Sequence, residues 1–300
     1  MYFMNHYLKQ IDLAHAAKLQ NDLPEQGFAM SQPQHTIFQA KRPGVTCTLY
    51  ESGKLMVQGK GKDEFIEYYI EPLIGDFSFS HPEMNLNMTP HIGVDEAGKG
   101  DFFGPLVVAA VYADEARIKY LLEEGVCDSK RLSDTMIVRL ANKLRKLPHS
   151  IVKITPPKYN DLYSSFGNLN TLLAWGHATA IEELHEKTQC KNVLIDQFAN
   201  EIVVESALAK KKLSLNLDQR HKGEEDPVVA AASILARDGF LHGIEALGKK
   251  VEMELPKGAS KQVIAAGKRL VAKHGPDILK EVGKLHFRTR NEILQDSFLC

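Results

Sequence analysis

Residues 77–91, FSFSHPEMNLNMTPH, constrain this chain more than any other stretch, because they offer neither a helical nor a strand face to bury. The segment is short of charge, carries Pro82 and Pro90, and has no apolar periodicity, a composition that suits a linker. Three hundred residues leave open one large domain or two unequal ones. The break favours the second arrangement: a small N-terminal domain over 1–80, a linker over 81–90, and a larger domain over 91–300.

Each side of the break has its own pattern. The first twenty residues read as an amphipathic helix. Further on, VTCTLY alternates, Glu51-Ser52-Gly53 makes a turn, KLMVQG alternates again, and DEFIEYYIEPL has helical spacing. The small unit is therefore a hairpin followed by a helix. After residue 91 strands and helices interleave. HIGVD, GPLVVAAVYA and IVKIT read as strands, and NVLIDQF is nearly all apolar, as in a sheet covered on both faces. SDTMIVRLANKLRKL reads as a helix capped by Ser133 or Asp134, with Met136, Ile137, Leu140, Leu144 and Leu147 on one face. LNTLLAWGHATAIEEL aligns Leu169, Leu172, Leu173, Ala180 and Leu184. Asp226-Pro227 opens a third helix, VVAAASILARDGFLHGIEAL, with proline at its first position. ASKQVIAAGKRLVAKHG and PDILKEVGKLHF are two further helical stretches. The larger unit is α/β, a mixed sheet with helices on both sides.

Composition excludes several classes. No run of ~18 apolar residues occurs, so a membrane span is not expected. The start lacks the basic and then apolar order of a signal peptide. Cys47, Cys127, Cys190 and Cys300 are far apart and read as reduced thiols of a cytoplasmic protein. The twelve histidines show no zinc-hydrolase spacing. Net charge is −1, so any polyanion-binding surface must come from local segregation of charge.

The acids are more informative. Asp95 and Glu96 are adjacent in IGVDEAGKGDFFGPL, at the end of a strand and ahead of Gly98 and Gly100. They are either turn acids or half of a site, since two neighbouring carboxylates repel unless a cation offsets them. Strict alternation would point them to opposite faces, so one shared site asks for a twist or bend there. Asp196 ends the strand VLID, a position that open α/β sheets place beside a crevice. Glu224 and Glu225 precede the Ala-rich helix, where the plain reading is a solvated turn at a helix N-terminus. Together these acids can make an oxygen cage for two hard cations, Mg²⁺ or Mn²⁺. Such a pair activates water and stabilises the leaving oxygen in phosphodiester hydrolysis.

Rival readings share these residues. Gly93 to Lys99 fits GxxxxGK of a phosphate-binding loop, but Gly100 stands where its hydroxyl residue belongs. Ser129 reads as a turn serine, Ser233 as a packing residue, and Trp175 as core. Residues 33–62 hold five basic side chains (Lys41, Arg42, Lys54, Lys60, Lys62) and one acid, while 248–290 hold eleven against four. Solvated faces explain such runs by default, though two basic surfaces beside an acidic site would also suit a nucleic acid.

IGVDEAGKGDFFGPLVVAAVY, CDSKRL, YN followed by GNLN, VLIDQF, and KGE followed by AAASILAR together resemble the type 2 ribonucleases H, in order and across 91–300. The resemblance implies a ribonuclease H-like mixed sheet flanked by helices. It also implies an endonuclease that hydrolyses the RNA strand of RNA/DNA hybrids, leaving 5′-phosphate and 3′-hydroxyl ends. Its metal ligands would be Asp95, Glu96, Asp196 and Glu224, with Glu225 the alternative fourth, binding two divalent ions. A glutamate in the fourth place favours the ribonuclease HIII branch. Gly98, Lys99 and Gly100 match the loop whose backbone reads RNA 2′-hydroxyls, with Lys99 where the family carries Arg. TCTLYESGKLMVQGKGKDEFIEYYIEPL resembles half of the TATA-box-binding-protein fold, a small α+β substrate-binding extension. The implied partner is the hybrid duplex, with no stable protein partner and a monomeric chain.

Overall fold

The computed structural model describes residues 6–80, 86–196 and 201–295, Glu201 by its backbone alone. The chain divides into two compact units, Met1–Asn87 and Met88–Cys300. Residues 81–85, half of the segment expected to link them, lie outside the described residues.

The first unit is built on β1 (His6–Gln10), α1 (Ala16–Glu25), β2 (Ala29–Ser31), β3 (Thr36–Arg42), β4 (Val45–Tyr50) and β5 (Lys54–Gln58). A helical stretch then runs through α2 (Lys62–Phe65), a π-helical turn (Ile66–Ile70) and α3 (Glu71–Ile74). The strands form one antiparallel sheet in the order β1-β5-β4-β3-β2. Leu19 and Leu23 of α1 and Phe65, Ile66 and Ile70 cover its apolar face, made by Phe38, Ala40, Cys47, Leu49, Leu55 and Val57. The hairpin and the helix lie where the sequence predicts them. The helix over the first twenty residues does not form as expected. His6–Gln10 instead pairs with the free edge of β5, and Asp12 starts a short 3₁₀ turn by accepting from Ala14 N–H. Edge pairing overrides a helix preference that was only local.

The second unit comprises β6 (His91–Ala97), β7 (Leu106–Ala113), α4 (Glu115–Glu123), α5 (Asp134–Leu144), β8 (His149–Ile154), α6 (Pro156–Phe166), α7 (Leu169–Thr188) and β9 (Asn192–Asp196). It continues with α8 (Glu201–Lys210), β10 (Asn216–Arg220), α9 (Pro227–Lys250), α10 (Lys261–His274), α11 (Ile278–Val282) and α12 (Arg288–Leu294). The sheet order is β10-β9-β6-β7-β8: β6, β7 and β8 pair antiparallel, and β9 lies parallel to both β6 and β10. Alternation along β7 decides which helix packs where. Val107, Ala109 and Val111 face the core that α9 fills, and Val108 and Ala110 face that of α7.

Ser133 caps α5 by accepting from Met136 N–H, and Asp226 caps α9 by accepting from Val228 and Val229 N–H. Met136, expected on the buried face, is 38% exposed. Trp175, expected in the core, is half-buried against Phe166. PDILKEVGKLHF is not one helix. It stops at Val282, where the backbone turns extended at Gly283 and Lys284 N–H donates to Phe102 C=O. Cys47, Cys127 and Cys190 are free thiols, and Cys300 lies outside the described residues. Among the described residues no helix is long and apolar enough to cross a membrane.

Candidate active site

β6 and β9 run side by side only through Ile92–Val94, and β9 ends at Asp196. Beyond Val94, β6 stays paired with β7, in unbroken register through Asp95, Glu96 and Ala97. Asp95 is opposite Ala109 and Glu96 opposite Val108, so the two acids do point to opposite faces, without a bend. Both nevertheless line one cleft of about 440 Å³, together with Asp196 at the end of β9. Gly98, Lys99, Gly100, Ser129, Lys130, Asp134, Asp196 and Arg237 complete most of its wall. The regular β-pairing through Ala97 also disposes of the phosphate-loop reading, which needs a loop where the structure has a strand.

Each acid is tethered by one side. Asp95 Oδ1 accepts from Glu96 N–H at 2.8 Å, and Asp196 Oδ1 accepts from Gly223 N–H at 2.9 Å. Gly223 permits this approach, since a Cβ there would lie 2.8 Å from Asp196 Cα. Glu96 Oε2 accepts from His177 Nε2 at 3.0 Å, and its Oε1 lies 3.4 Å from Lys99 Nζ. Burial pushes the Asp95 carboxyl well above the ordinary carboxylate range, and the charges of Glu96 and Asp196 push it further. Burial would also raise Glu96, but His177 and Lys99 outweigh it and hold that carboxyl low.

Glu224 stands on the 3₁₀ turn Gly223–Glu225, which Lys222 enters in a left-handed conformation. Its side chain is 21% exposed, its Oε1 lies 4.0 Å from Lys130 Nζ, and its Oε2 is buried with no hydrogen-bond partner among the described residues. Glu225 is 72% exposed and pairs with Lys222 at 3.1 Å. Of the two candidates, Glu224 is the one that shares Lys130 with Asp95 and Asp196. Among the described residues no three acidic, histidine or cysteine side chains are closed around one point. Asp95, Glu96 and Asp196 each accept from a donor of their own. The donor set is all oxygen, which suits a hard divalent cation, and a buried carboxylate oxygen without a partner is one that a cation would satisfy.

Sequence reasoning passed over three side chains here. Lys130, in the CDSKRL motif, lies in the combined field of Asp128, Glu224, Asp95 and Asp196, which raises its ammonium group's pKa despite the opposing effect of burial. His177 sits unexposed in α7, where a buried histidine among alanines was the only signal. Arg237 reaches Asp134 at 3.6 Å on the rim, and Lys257 reaches the same carboxylate at 2.5 Å. Ser129 and Ser233 are structural, as read: Ser129 N–H donates to Ser233 Oγ, tying the CDSK turn to α9. Several lysines of the basic 248–290 stretch, among them Lys249, Lys250, Lys273 and Lys280, are spent in surface ion pairs.

Comparison with known proteins agrees with this picture. Residues 92–290 match the family described as Ribonuclease HII, and residues 6–75 match a domain of unknown function, DUF3378. The chain is 51% identical to the ribonuclease HIII of Protochlamydia amoebophila (strain UWE25), over 96% of each chain. It is 49% identical to that of Chlamydia pneumoniae, over 92% of this chain and 93% of the relative. Among solved structures, Bst-RNase HIII in complex with Mn²⁺ aligns with a TM-score of 0.69 at 30% identity, covering 98% of this chain and all of the other.

Proposed function

This chain belongs to the ribonuclease HII family and within it to the ribonuclease HIII group, and from that premise we propose that it cuts the RNA strand of RNA/DNA hybrids with two divalent ions. The observation that supports the reading is that Asp95, Glu96 and Asp196, from β6 and β9, line one cleft with Lys99 and Lys130, and that Lys130 also lies 4.0 Å from Glu224 on the turn before α9. Asp95, Glu96, Asp196 and Glu224 would hold the ions, Mg²⁺ or Mn²⁺. When bound, such ions activate a water for attack on phosphorus and stabilise the oxygen that leaves. Cleavage of the P–O3′ bond leaves a 3′-hydroxyl on one fragment and a 5′-phosphate on the other.

The chain's own groups do the rest. The His177 hydrogen bond fixes the Glu96 rotamer, so that its carboxylate keeps one orientation as the site fills. The Lys130 ammonium group beside Glu224 is placed to meet a phosphate. The backbone of Gly98–Lys99–Gly100 presents N–H and C=O groups to the 2′-hydroxyls, which distinguish RNA from DNA. Lys99, where the family carries Arg, instead turns its ammonium group toward Glu96. The N-terminal unit, with its five-stranded antiparallel sheet, adds affinity for the duplex backbone in the manner of a TATA-box-binding-protein half.

The test is cleavage of a hybrid, an RNA duplex and a DNA duplex with Mg²⁺ or Mn²⁺, beside an Asp95→Asn control. The hybrid alone should be cut, only with metal, and the control should be inactive. Cleavage in chelator, or an active control, overturns the reading.

A further inference from the structure

The segment that follows the glycine loop, Asp101–Gly104, lies between β6 and β7 and is fastened on two sides. On one, Asp101 Oδ1 accepts from Gly258 N–H at 2.6 Å, and Phe102 N–H donates to Gly258 C=O at 2.9 Å. On the other, Gly104 N–H donates to Val282 C=O at 3.0 Å, and Lys284 N–H donates to Phe102 C=O at 2.9 Å. The Lys284 side chain then comes back to the same segment. Its Nζ donates to the carbonyls of Asp101 and Gly104, each at 2.8 Å, and so grips both ends of the segment at once.

A fully buried lysine is an expensive way to fill space. Burial, only partly offset by the charge of Asp101, brings its ammonium group's pKa down to about 7. An apolar side chain of similar length would fill the same volume at less cost, so the two carbonyl contacts are what the lysine adds. Protonated or neutral, the amine keeps two N–H groups for them. The neighbouring motif serves the same end. Tyr159 lies beneath, its ring centre 5.7 Å from Nζ, and Asn160 brackets the lysine by donating to Gly283 C=O at 3.0 Å and accepting from Leu285 N–H at 2.9 Å. Asp101 N–H in turn closes the glycine loop by donating to Gly98 C=O at 3.3 Å. Where Asp101 goes, the loop follows.

We propose that Lys284 is a positioning residue for RNA-strand recognition, setting the height of Gly98–Lys99–Gly100 over the acidic cleft through the carbonyls of Asp101 and Gly104. The proposal rests on the reading of the cleft as a hybrid-cutting site. It acts on binding of the RNA strand and leaves the carboxylates where they are.

The experiment compares the full-length protein with Lys284→Met and Lys284→Gln, the second retaining an amide donor for one carbonyl. For each, kcat and KM on the hybrid are measured, with the Ki of a DNA duplex added as competitor and a thermal melt. For Lys284→Met the KM should rise about tenfold, kcat should stay within about threefold, and the DNA-duplex Ki should not move. Lys284→Gln should fall between it and the parent. A purely structural lysine would lower kcat or weaken both duplexes alike, and either result, or an unchanged KM, overturns the proposal. If Lys284→Met gives no cooperative melt, the same criteria are applied to Lys284→Gln. A parent protein that fails to cut the hybrid refutes the reading of the cleft instead, so the two failures are distinct.

Discussion

The glycines of the 98–100 loop are both absent side chains, yet the structure gives them different tasks, and alanine at each should separate folding from recognition. Gly98 has φ +89°, and a Cβ there would come within 2.3 Å of the Pro105 carbonyl oxygen and 2.8 Å of the Phe240 ring. Gly100 has neither constraint: its φ is outside the left-handed region, and nothing lies within 4 Å of where a Cβ would stand. For Gly98→Ala the left-handed backbone costs about 1–2 kcal/mol, and displacing backbone to relieve the clash about 1–3 kcal/mol more. In a domain of this size each kcal/mol moves Tm by about 2–4 °C, so the melt should fall by roughly 4–20 °C. Gly100→Ala should stay within about 0.5 kcal/mol of the parent, a Tm change of no more than about 2 °C. If the loop reads the RNA strand as proposed, the added methyl group stands between them, and kcat/KM on the hybrid should drop about tenfold or more. Differential scanning calorimetry and initial rates on a labelled hybrid, in parallel on both variants, make the measurement. Equal melting losses for the two, or a Gly100→Ala enzyme with full kcat/KM, would refute the division of labour.

Two further substitutions test the acids. Glu224→Gln should reduce kcat by about two orders of magnitude or more, whereas Glu225→Gln, on an exposed side chain paired with Lys222, should stay within about twofold; the reverse order would move the fourth ligand one residue on. Asp95→Asn should abolish cleavage and yet raise the melting temperature of the metal-free protein at neutral pH. Folding lifts the Asp95 pKa, so the ionised carboxylate penalises the folded state once pH exceeds the ordinary carboxylate value, and the penalty grows up to the folded pKa. Melts in chelator should therefore diverge above about pH 4 and coincide below it. A variant that melts lower than the parent at pH 7 would show that the aspartate is not strained there.

What the sequence disclosed and what it hid follow from how locally each feature is encoded. Strands β6, β7 and β9 and helices α5, α7 and α9 carry their burial in their own periodicity and caps, and they form where expected. β10, NLDQR, has a polar composition poor in strand formers, and exists because β9 offers it an edge. His6–Gln10 is the same case at the other end of the chain. α11 ends early because Gly283 and Lys284 are claimed by the segment at Asp101, nearly two hundred residues away in sequence. The carboxylates were visible as residues, but no local pattern could show that His177 and Lys130 stand beside them.

Adjacent acids of one strand line a single cleft here although alternation separates them. Alternation sends Asp95 toward the α9 face and Glu96 toward the α7 face, and in a fully paired strand the sheet would keep them apart. Among the described residues the pairing of β6 with β9 runs through Val94 and Ile195, and Asp95 and Glu96, one residue further on, line the same cleft. Asp196 brings a third carboxylate to that wall, and Gly223, on the turn before α9, comes close enough to donate to it. A bend in β6, the device that alternation seemed to require, would have broken the β7 register that carries Val107 and Ala109 into the core of the larger unit.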